Sequence, residues 1–401
     1  MIELEAALSR ILATIPLPVN ERVALSAADG RVLTENLSAP MDLPPFDNSA
    51  MDGYAVRAAD VAGATSAAPV CLRLVGRIPA GENFTGELAA GECLRLFTGS
   101  PMPRGADAVV MQEDTRPSSS GAGEVLICDK VRLGENVRSR GDDVRRGSPL
   151  AAAGEVLGPG VIGLLAAVGV QEVGVGRRPV VSLLATGSEL REAGEPLGPG
   201  QIYESNRAAL GPLVVRAGGV PQSFPLVPDT LAATQAALER AFATSDVVVT
   251  SGGVSVGEMD FVKAAFESLG GTLEFWKVAM RPGKPFVFGR CRGKFLFGLP
   301  GNPVSAFVTF LLLSRPALWR WQGATEVGLP AHPAVLGEPV SNAGDRRHFM
   351  RVRVDEAGRV FSAGRQASHT LASLAVANGL LNLPPGASLA AGDCVTVLRW
   401  D

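Results

Sequence analysis

Apolar and polar residues follow one another with two different periods along this chain, and the period changes near residue 178 and again near residue 329. The opening segment MIELEAALSRILATI has apolar spacing that predicts a helix, and short strands follow around VALSAADGRVL and LSAP, up to about Pro40. From there to about Pro149 the pattern is strand-like. The runs VCLRLVGRI, GECLRLF, DAVVMQED and EVLICDKV are parted by Gly, Pro and Ser turns, with PSSSGAG at 117–123 as a hairpin tip. Between Val156 and Val175 the run LGPGVIGLLAAVGVQEVGV predicts a short buried helix and a strand.

From about Arg178 to Gly323 the pattern becomes strand–helix–strand. VVSLLAT, QSFPLV, DVVVT, EFWKVAM, FVFG and FLFGL read as strands, with helices over SNRAALGPLVVRAG, DTLAATQAALERAFAT, DFVKAAFESLG and onward from Asn302. Alternation at this spacing predicts a doubly wound, mostly parallel sheet, whose ligands sit at the carboxyl ends of the strands. Beyond about Leu329 the runs AVLGEPV, HFMRVRVD, RVFSA and DCVTVLRW predict a small C-terminal β domain. The expected fold class is therefore multi-domain α/β, with mainly-β N-terminal domains before the doubly wound domain and a β domain after it.

A length of 401 residues exceeds one ordinary core, so two to four domains are expected. Hydrophobic residues at 46% supply ample core, and 47 Gly with 29 Pro imply many tight turns. The net charge of −3 without a Lys/Arg block argues against nucleic acid or an anionic membrane as partner. Five scattered cysteines with no CxxC pair suggest neither a disulfide framework nor a zinc site, and fit a reducing, cytoplasmic compartment. Glu3 and Glu5 stand where an export signal would be basic. The uncharged stretch Phe295 to Ser314 reaches membrane-spanning length, but its GLPGNP would break a spanning helix.

Three strand ends carry the candidate chemistry. DVVVT runs into SGGVSVGEMD (251–260), where Gly252 and Gly253 permit a tight turn and close approach of a phosphate. Ser251 and Ser255 add hydroxyls there, and Asp260 opens the next helix, either as an ordinary cap or facing a metal. LPGNPVS (299–305) holds Pro300 and Pro303 at a helix start, where backbone amides attract anions. ATGSEL (185–190) places Thr186, Gly187 and Ser188 in a turn before Glu189. Loops at successive strand ends should converge on one face.

WKVAMRPGKPFVFG adds three cations, Lys277, Arg281 and Lys284, which serve either an anion site or a solvated strand. The first half offers Asp47 and Asp52 in PFDNSAMDGYAVR, Thr98 in LFTGSPMP, and Arg138, Arg140, Asp142 and Asp143 in GENVRSRGDDV. Carboxylates with few histidines suit a hard ion such as Mg2+, bound jointly with substrate phosphate. His332, His348 and His369 are dispersed, and no Ser or Cys has an evident base nearby in sequence.

Taken together, PFDNSAMDGYAVR, TGSEL, SGGVSVGEMD and LPGNPVSA resemble the molybdopterin molybdenumtransferase family, the bacterial MoeA proteins and the E domain of gephyrin, over essentially the whole chain. The resemblance implies an N-terminal region over 1–177, an α/β molybdopterin-binding domain over 178–326 and a C-terminal β domain over 330–401. Within the first, it implies a mostly β domain at about 46–146 and a linking domain of about 27–45 plus 147–177, with helix 1–26 packed on the α/β domain. It also implies a homodimer whose cleft lies between the α/β domain of one subunit and the N-terminal domains of the other. The implied reaction joins adenylylated molybdopterin and molybdate, with Mg2+ as cofactor, to give molybdenum cofactor and AMP. Other proteins of cofactor biosynthesis are the implied partners, with no nucleic acid or membrane.

Carried over by motif, Asp52, Glu189, Asp260 and Lys277 are the implied catalytic residues, and Glu189, Asp260 and Asp143 the metal ligands. Thr98, Arg138, Ser251, Gly252, Gly253, Ser255, Asp229, Arg281, Lys284, Pro300, Pro303, Arg351 and Ser368 are the implied substrate-binding residues. Asp229 rests on a short VPD match, and Arg351 and Ser368 on the weaker motifs FMRVRV and RQASHT. Many relatives carry Lys where this chain has Arg281, exchanging a point donor for a planar fork. The rival expectations are adenylylation of molybdopterin from ATP, and a gephyrin-like scaffold.

Overall fold

The computed structural model describes residues 1–79, 81–118, 123–254 and 260–400. The chain divides into two units: Met1–Glu35 with Ala153–Leu157 and Val173–Asp401, and Asn36–Ala152 with Gly158–Glu172.

In the first unit a six-stranded sheet comprises β1 (Val180–Ala185), β2 (Val220–Ser223), β3 (Val247–Ser251), β4 (Thr272–Trp276), β5 (Val287–Cys291) and β6 (Lys294–Leu299). Its order is β2-β1-β3-β6-β5-β4. β2, β1, β3 and β6 run parallel, and β5 and β4 form an antiparallel edge. β1, β3 and β6 are thus neighbours, so the loops leaving their carboxyl ends emerge side by side. β3 is buried along its whole length, as expected for a central strand covered on both faces.

One face of this sheet packs on α1 (Leu4–Thr14), α2 (Asn206–Arg216) and a continuous helical run made of α5 (Pro303–Thr309), a π-helical turn and α6 (Arg315–Trp321). The other face packs on α3 (Leu231–Thr244) and α4 (Val262–Ser268). The Thr230 side chain caps α3 by accepting the Ala233 N–H at 3.2 Å. The stretch 295–314 divides between β6 and the helical run, parted at the Pro-Gly turn. No helix among the described residues is long and apolar enough to cross a membrane.

EFWKVAM is not one strand. It stops at Trp276 because Lys277 takes the left-handed region, with φ +74. The chain then forms a short strand, Met280–Arg281, that pairs with Arg347–His348 of the C-terminal sheet. There, strands 347–354, 359–362, 331–336, 394–399 and 379–383 pair in sequence, and 379–383 returns to 347–354, closing a five-stranded barrel. Met350 and Val352 fill the barrel, so by strand alternation Phe349 and Arg351 turn outward; Phe349 packs into the α/β core.

The second unit is built on a six-stranded sheet in the order 108–111, 53–56, 92–96, 70–78, 124–127, 115–117. All its pairings are antiparallel except 70–78 with 92–96. The hairpin between 115–117 and 124–127 forms, although residues 119–122 of its tip lie outside the described residues. The helix expected to be buried, Pro159–Ala167, buries only Leu165 among its residues. It is apolar all round, so its sequence marks no inner face, and it meets the unit along one side at Pro149–Ala151.

Candidate functional site

The three loops at the ends of β1, β3 and β6 meet in one cleft of about 660 Å³ in the first unit. Gly252 and Gly253 have φ of +87 and +67, a region that penalises side chains. A Cβ at Gly252 would also lie 2.6 Å from the Thr186 carbonyl oxygen, and one at Gly253 would lie 2.8 Å from Thr186 Oγ1. The β1 and β3 loops are therefore in backbone contact, which only glycine permits. A Cβ at Gly301 would lie 3.6 Å from the Gly252 Cα, so the third loop closes on the same turn.

The floor is polar. Thr186 Oγ1 and Ser251 Oγ are buried and have no hydrogen-bond partner among the described residues. Both residues line the cleft, and two buried hydroxyls so close together are uncommon without a ligand or ordered water to satisfy them. Glu189 and Asp260 line the same cleft. The Glu189 carboxylate folds back on its own turn, 2.7 Å from where a Cβ at Gly187 would stand. Asp260 precedes Phe261, the residue at the N-cap position of α4. Asp229 also lines the cleft, and its Oδ2 accepts the Ser188 N–H at 2.9 Å while its own N–H donates to Ser188 Oγ at 3.0 Å. This reciprocal pair pins the β1 loop.

Pro300 and Pro303 line the cleft as well, and two bonds tie their loop in place. Asn206 Nδ2 donates to the Gly301 carbonyl at 2.8 Å, and the Val304 N–H donates to the Ser368 carbonyl at 3.1 Å. Ser255 lies outside the described residues.

Lys277, Arg281 and Lys284 are not in the lining, which takes up only Pro285 from their segment. The Lys277 ammonium stands 4.2 Å from the centre of the Trp276 ring, a cation–π contact. Arg281 instead stands beside Arg351 and the buried His348. Arg351 is fully buried; its Nε donates to Ser373 Oγ at 2.9 Å and one terminal nitrogen to the Arg365 carbonyl at 2.9 Å. Its other terminal nitrogen and His348 Nε2 are buried without a partner among the described residues. Burial, with Arg281 nearby, depresses Arg351 to about 10. Burial, then Arg281 and Arg351, lower His348 to about 4. Gln366 bonds both backbone groups of Arg351 at 2.9 Å, so the RQASHT segment wraps this arginine.

Asp52, Thr98, Arg138 and Asp143 belong to the second unit. Arg138 and Asp143 line one small cavity of about 380 Å³ together with Gly99, the residue after Thr98. Asp52 is held on Thr98 and lies well below the usual carboxylate range, through the Thr98 amide and hydroxyl with a smaller effect of Arg95. The Arg95 guanidinium sits over the Tyr54 and Phe97 rings at 4.9 and 5.3 Å and donates to Gln112.

Sequence reasoning misses Tyr203, Asn206 and His369, all of which line the cleft, and Arg207, which is buried beside it. The YESNR run does carry a signal, since a charged residue that ends buried at a helix start needs partners nearby in the chain. His369 looks isolated in the sequence only because its neighbours in space are distant along the chain.

Among the described residues no group of three or more His, Cys, Asp or Glu side chains is placed to hold a metal ion. The carboxylates Glu189 and Asp260 offer hard oxygen donors in one cleft, which suits an ion that completes its coordination with ligand oxygens.

The chain matches the MoeA N-terminal region (domain I and II) over residues 2–169, the probable molybdopterin binding domain over 182–320 and the MoeA C-terminal region (domain IV) over 333–400. It is 42% identical over 386 residues to molybdopterin molybdenumtransferase 2 of Mycobacterium tuberculosis, covering 94% of each chain. It is 37% identical over 404 residues to molybdopterin molybdenumtransferase of Haemophilus influenzae, covering 99% of this chain and 98% of that one. The molybdopterin biosynthesis MoeA protein of Pyrococcus horikoshii superposes over 100% of both chains with a TM-score of 0.84 at 30% identity. With all three regions matched in order and relatives alike over nearly their full lengths, this chain belongs to the molybdopterin molybdenumtransferase family of enzymes.

Proposed function

We propose that this chain inserts molybdenum into molybdopterin, taking adenylylated molybdopterin and molybdate and releasing AMP in a Mg2+-dependent reaction. The observation that supports this reading most is the meeting of three strand-end loops around two buried hydroxyls, Thr186 and Ser251, that have no partner among the described residues, with Glu189 and Asp260 lining the same cleft. Such a cleft offers backbone amides and hydroxyls to phosphate oxygens, and carboxylates to a bridging cation.

On this reading Gly252, Gly253 and the Pro300–Pro303 turn cradle the pyrophosphate, and Asp229 keeps the Ser188 turn in position. Glu189 and Asp260 would hold Mg2+ jointly with substrate oxygens; the ion would neutralise charge on the departing phosphate as the phosphoanhydride bond to AMP breaks. The Arg351–His348–Arg281 group, with Lys284 three residues beyond Arg281 and Ser368 next to Ala367, whose carbonyl accepts from Arg351 at 3.3 Å, is suited to molybdate, because a terminal nitrogen of Arg351 is buried without a partner among the described residues and a compact oxyanion would satisfy it. Lys277 adds positive charge to the same segment. A homodimer in which a second copy supplies Asp52, Thr98, Arg138 and Asp143 completes the proposal.

The test is AMP release from adenylylated molybdopterin by the purified full-length chain, with molybdate and Mg2+ each added or withheld. Release that requires both, and that Asp260→Ala abolishes while leaving the fold intact, is the expected result. ATP consumption without a need for molybdate, or unchanged turnover in Asp260→Ala, would overturn it.

A further inference from the structure

Part of the cleft lining differs from its buried hydroxyls and carboxylates. A small flap, residues 189–206, rises beside the loops, where Leu190–Arg191 and Ile202–Tyr203 pair as a two-stranded parallel ribbon. Ile202 is 54% exposed and Tyr203 46% exposed, and both line the cleft with Leu190. Large apolar side chains left open in a cleft that also presents hydroxyls and carboxylates favour a ligand that carries apolar as well as polar surface.

The flap is cross-braced by hydrogen bonds and ion pairs. Arg207, at the start of α2, is buried and its guanidinium holds both sides of the ribbon. Its Nε donates to Glu204 at 3.0 Å, and one terminal nitrogen donates to both oxygens of Glu192 at 2.8 and 2.9 Å. The other terminal nitrogen reaches the Phe224 carbonyl. Glu204 accepts the Arg207 N–H as well, at 2.8 Å. The Tyr203 hydroxyl donates to the Glu195 carbonyl at 2.8 Å within the flap. Its polar end is therefore satisfied internally, and the ring is held in place while remaining open to the cleft.

We infer that Tyr203, supported by Ile202, is the platform for the flat nitrogen heterocycle of the substrate and the residue that selects for one. This rests on the reading that the cleft binds a nucleotide-linked pterin, and it adds which residues receive a ring rather than a phosphate. A tethered aromatic face stacks on a planar heterocycle with little ordering cost, since neither the ring nor the flap has to be fixed on binding. The adenine and the pterin share this chemistry, and the experiment separates them.

Calorimetric titration of the full-length protein with AMP, with molybdopterin and with inorganic pyrophosphate tests the inference. In Tyr203→Ala the affinity for AMP, for molybdopterin or for both should fall about tenfold or more, and the ligand that weakens identifies the ring. Pyrophosphate affinity and the melting temperature should not change. Tyr203→Phe, which keeps the ring and loses the tether, should stay within about threefold of the parent. Undiminished binding of both ring ligands by Tyr203→Ala overturns the platform while leaving the cleft reading intact, and so does an equal loss of pyrophosphate affinity. If the parent protein binds none of the three, the reading of the cleft fails and this inference with it.

Discussion

Asp52 Oδ1 accepts two hydrogen bonds from Thr98, one from the backbone N–H and one from the hydroxyl, each at 2.8 Å. The two residues lie 46 positions apart, yet a single threonine makes the largest contributions that lower the pKa of an exposed carboxylate. Thr98→Val, which removes one of the two donors, should raise the Asp52 pKa, and carboxyl NMR titration would register the shift. AMP release should fall about tenfold, as for loss of one positioned hydrogen bond to a charged group.

Gly252→Ala should destabilise the chain by about 1–3 kcal/mol, through strain at positive φ and the close Thr186 carbonyl. Urea denaturation would measure the loss. A variant as stable as the parent would mean that this turn relaxes without cost.

Arg177 and Asp246 form a two-pronged ion pair at 2.9 and 2.8 Å, and Asp246 also accepts the Val180 N–H at 2.8 Å. Burial raises the Asp246 pKa, but Arg177 and the Val180 amide outweigh it and the net shift is downward. The stability from this pair is therefore present above the ordinary carboxyl value of 3.8 and is lost as pH falls through the lower folded value. Asp246→Ala should cost about 1–2 kcal/mol at neutral pH, between exposed and buried pairs, and much less in strong acid.

His348 gives a second pH dependence at milder acidity. Its folded value of about 4 lies below the ordinary 6.5, so the unfolded chain binds the extra proton first. Stability should be full above pH 6.5 and decline toward pH 4, a decline that His348→Phe should flatten in a melting-temperature series. Molybdate should lessen the decline in the parent if it binds beside Arg351, because an anion there favours the protonated ring.

Removing Arg207 tests the flap. Arg207→Ala leaves Glu204, whose side chain is 5% exposed, without its partner and should destabilise by about 3–5 kcal/mol. Arg207→Lys should recover only part of this, since one ammonium cannot serve Glu204, Glu192 and the Phe224 carbonyl together. Full recovery would show that charge alone holds the ribbon.

Much was legible from local pattern. The alternation of strand and helix after residue 178 reports which faces must be buried, and glycine pairs report backbone that cannot carry a side chain. The turns at 186–189, 251–254 and 300–303 were therefore readable one by one, whereas Asp229 was reached only through a short VPD match to the family. The break at Lys277 was not readable, because a lysine at positive φ carries no local sign; it is held there by bonds from Ile2 and to Phe286.

The amino-acid order alone determined the alternation of strand and helix, the glycine turns and the kinds of oxygen donor available, because each depends on a residue and its near neighbours. Only the folded chain decided that β1, β3 and β6 stand side by side, that Thr186 and Ser251 share one floor, and that Arg351, His348 and Arg281 crowd together. Strand order and burial arise from packing between segments tens to hundreds of residues apart, and that packing is not a property of any one of them.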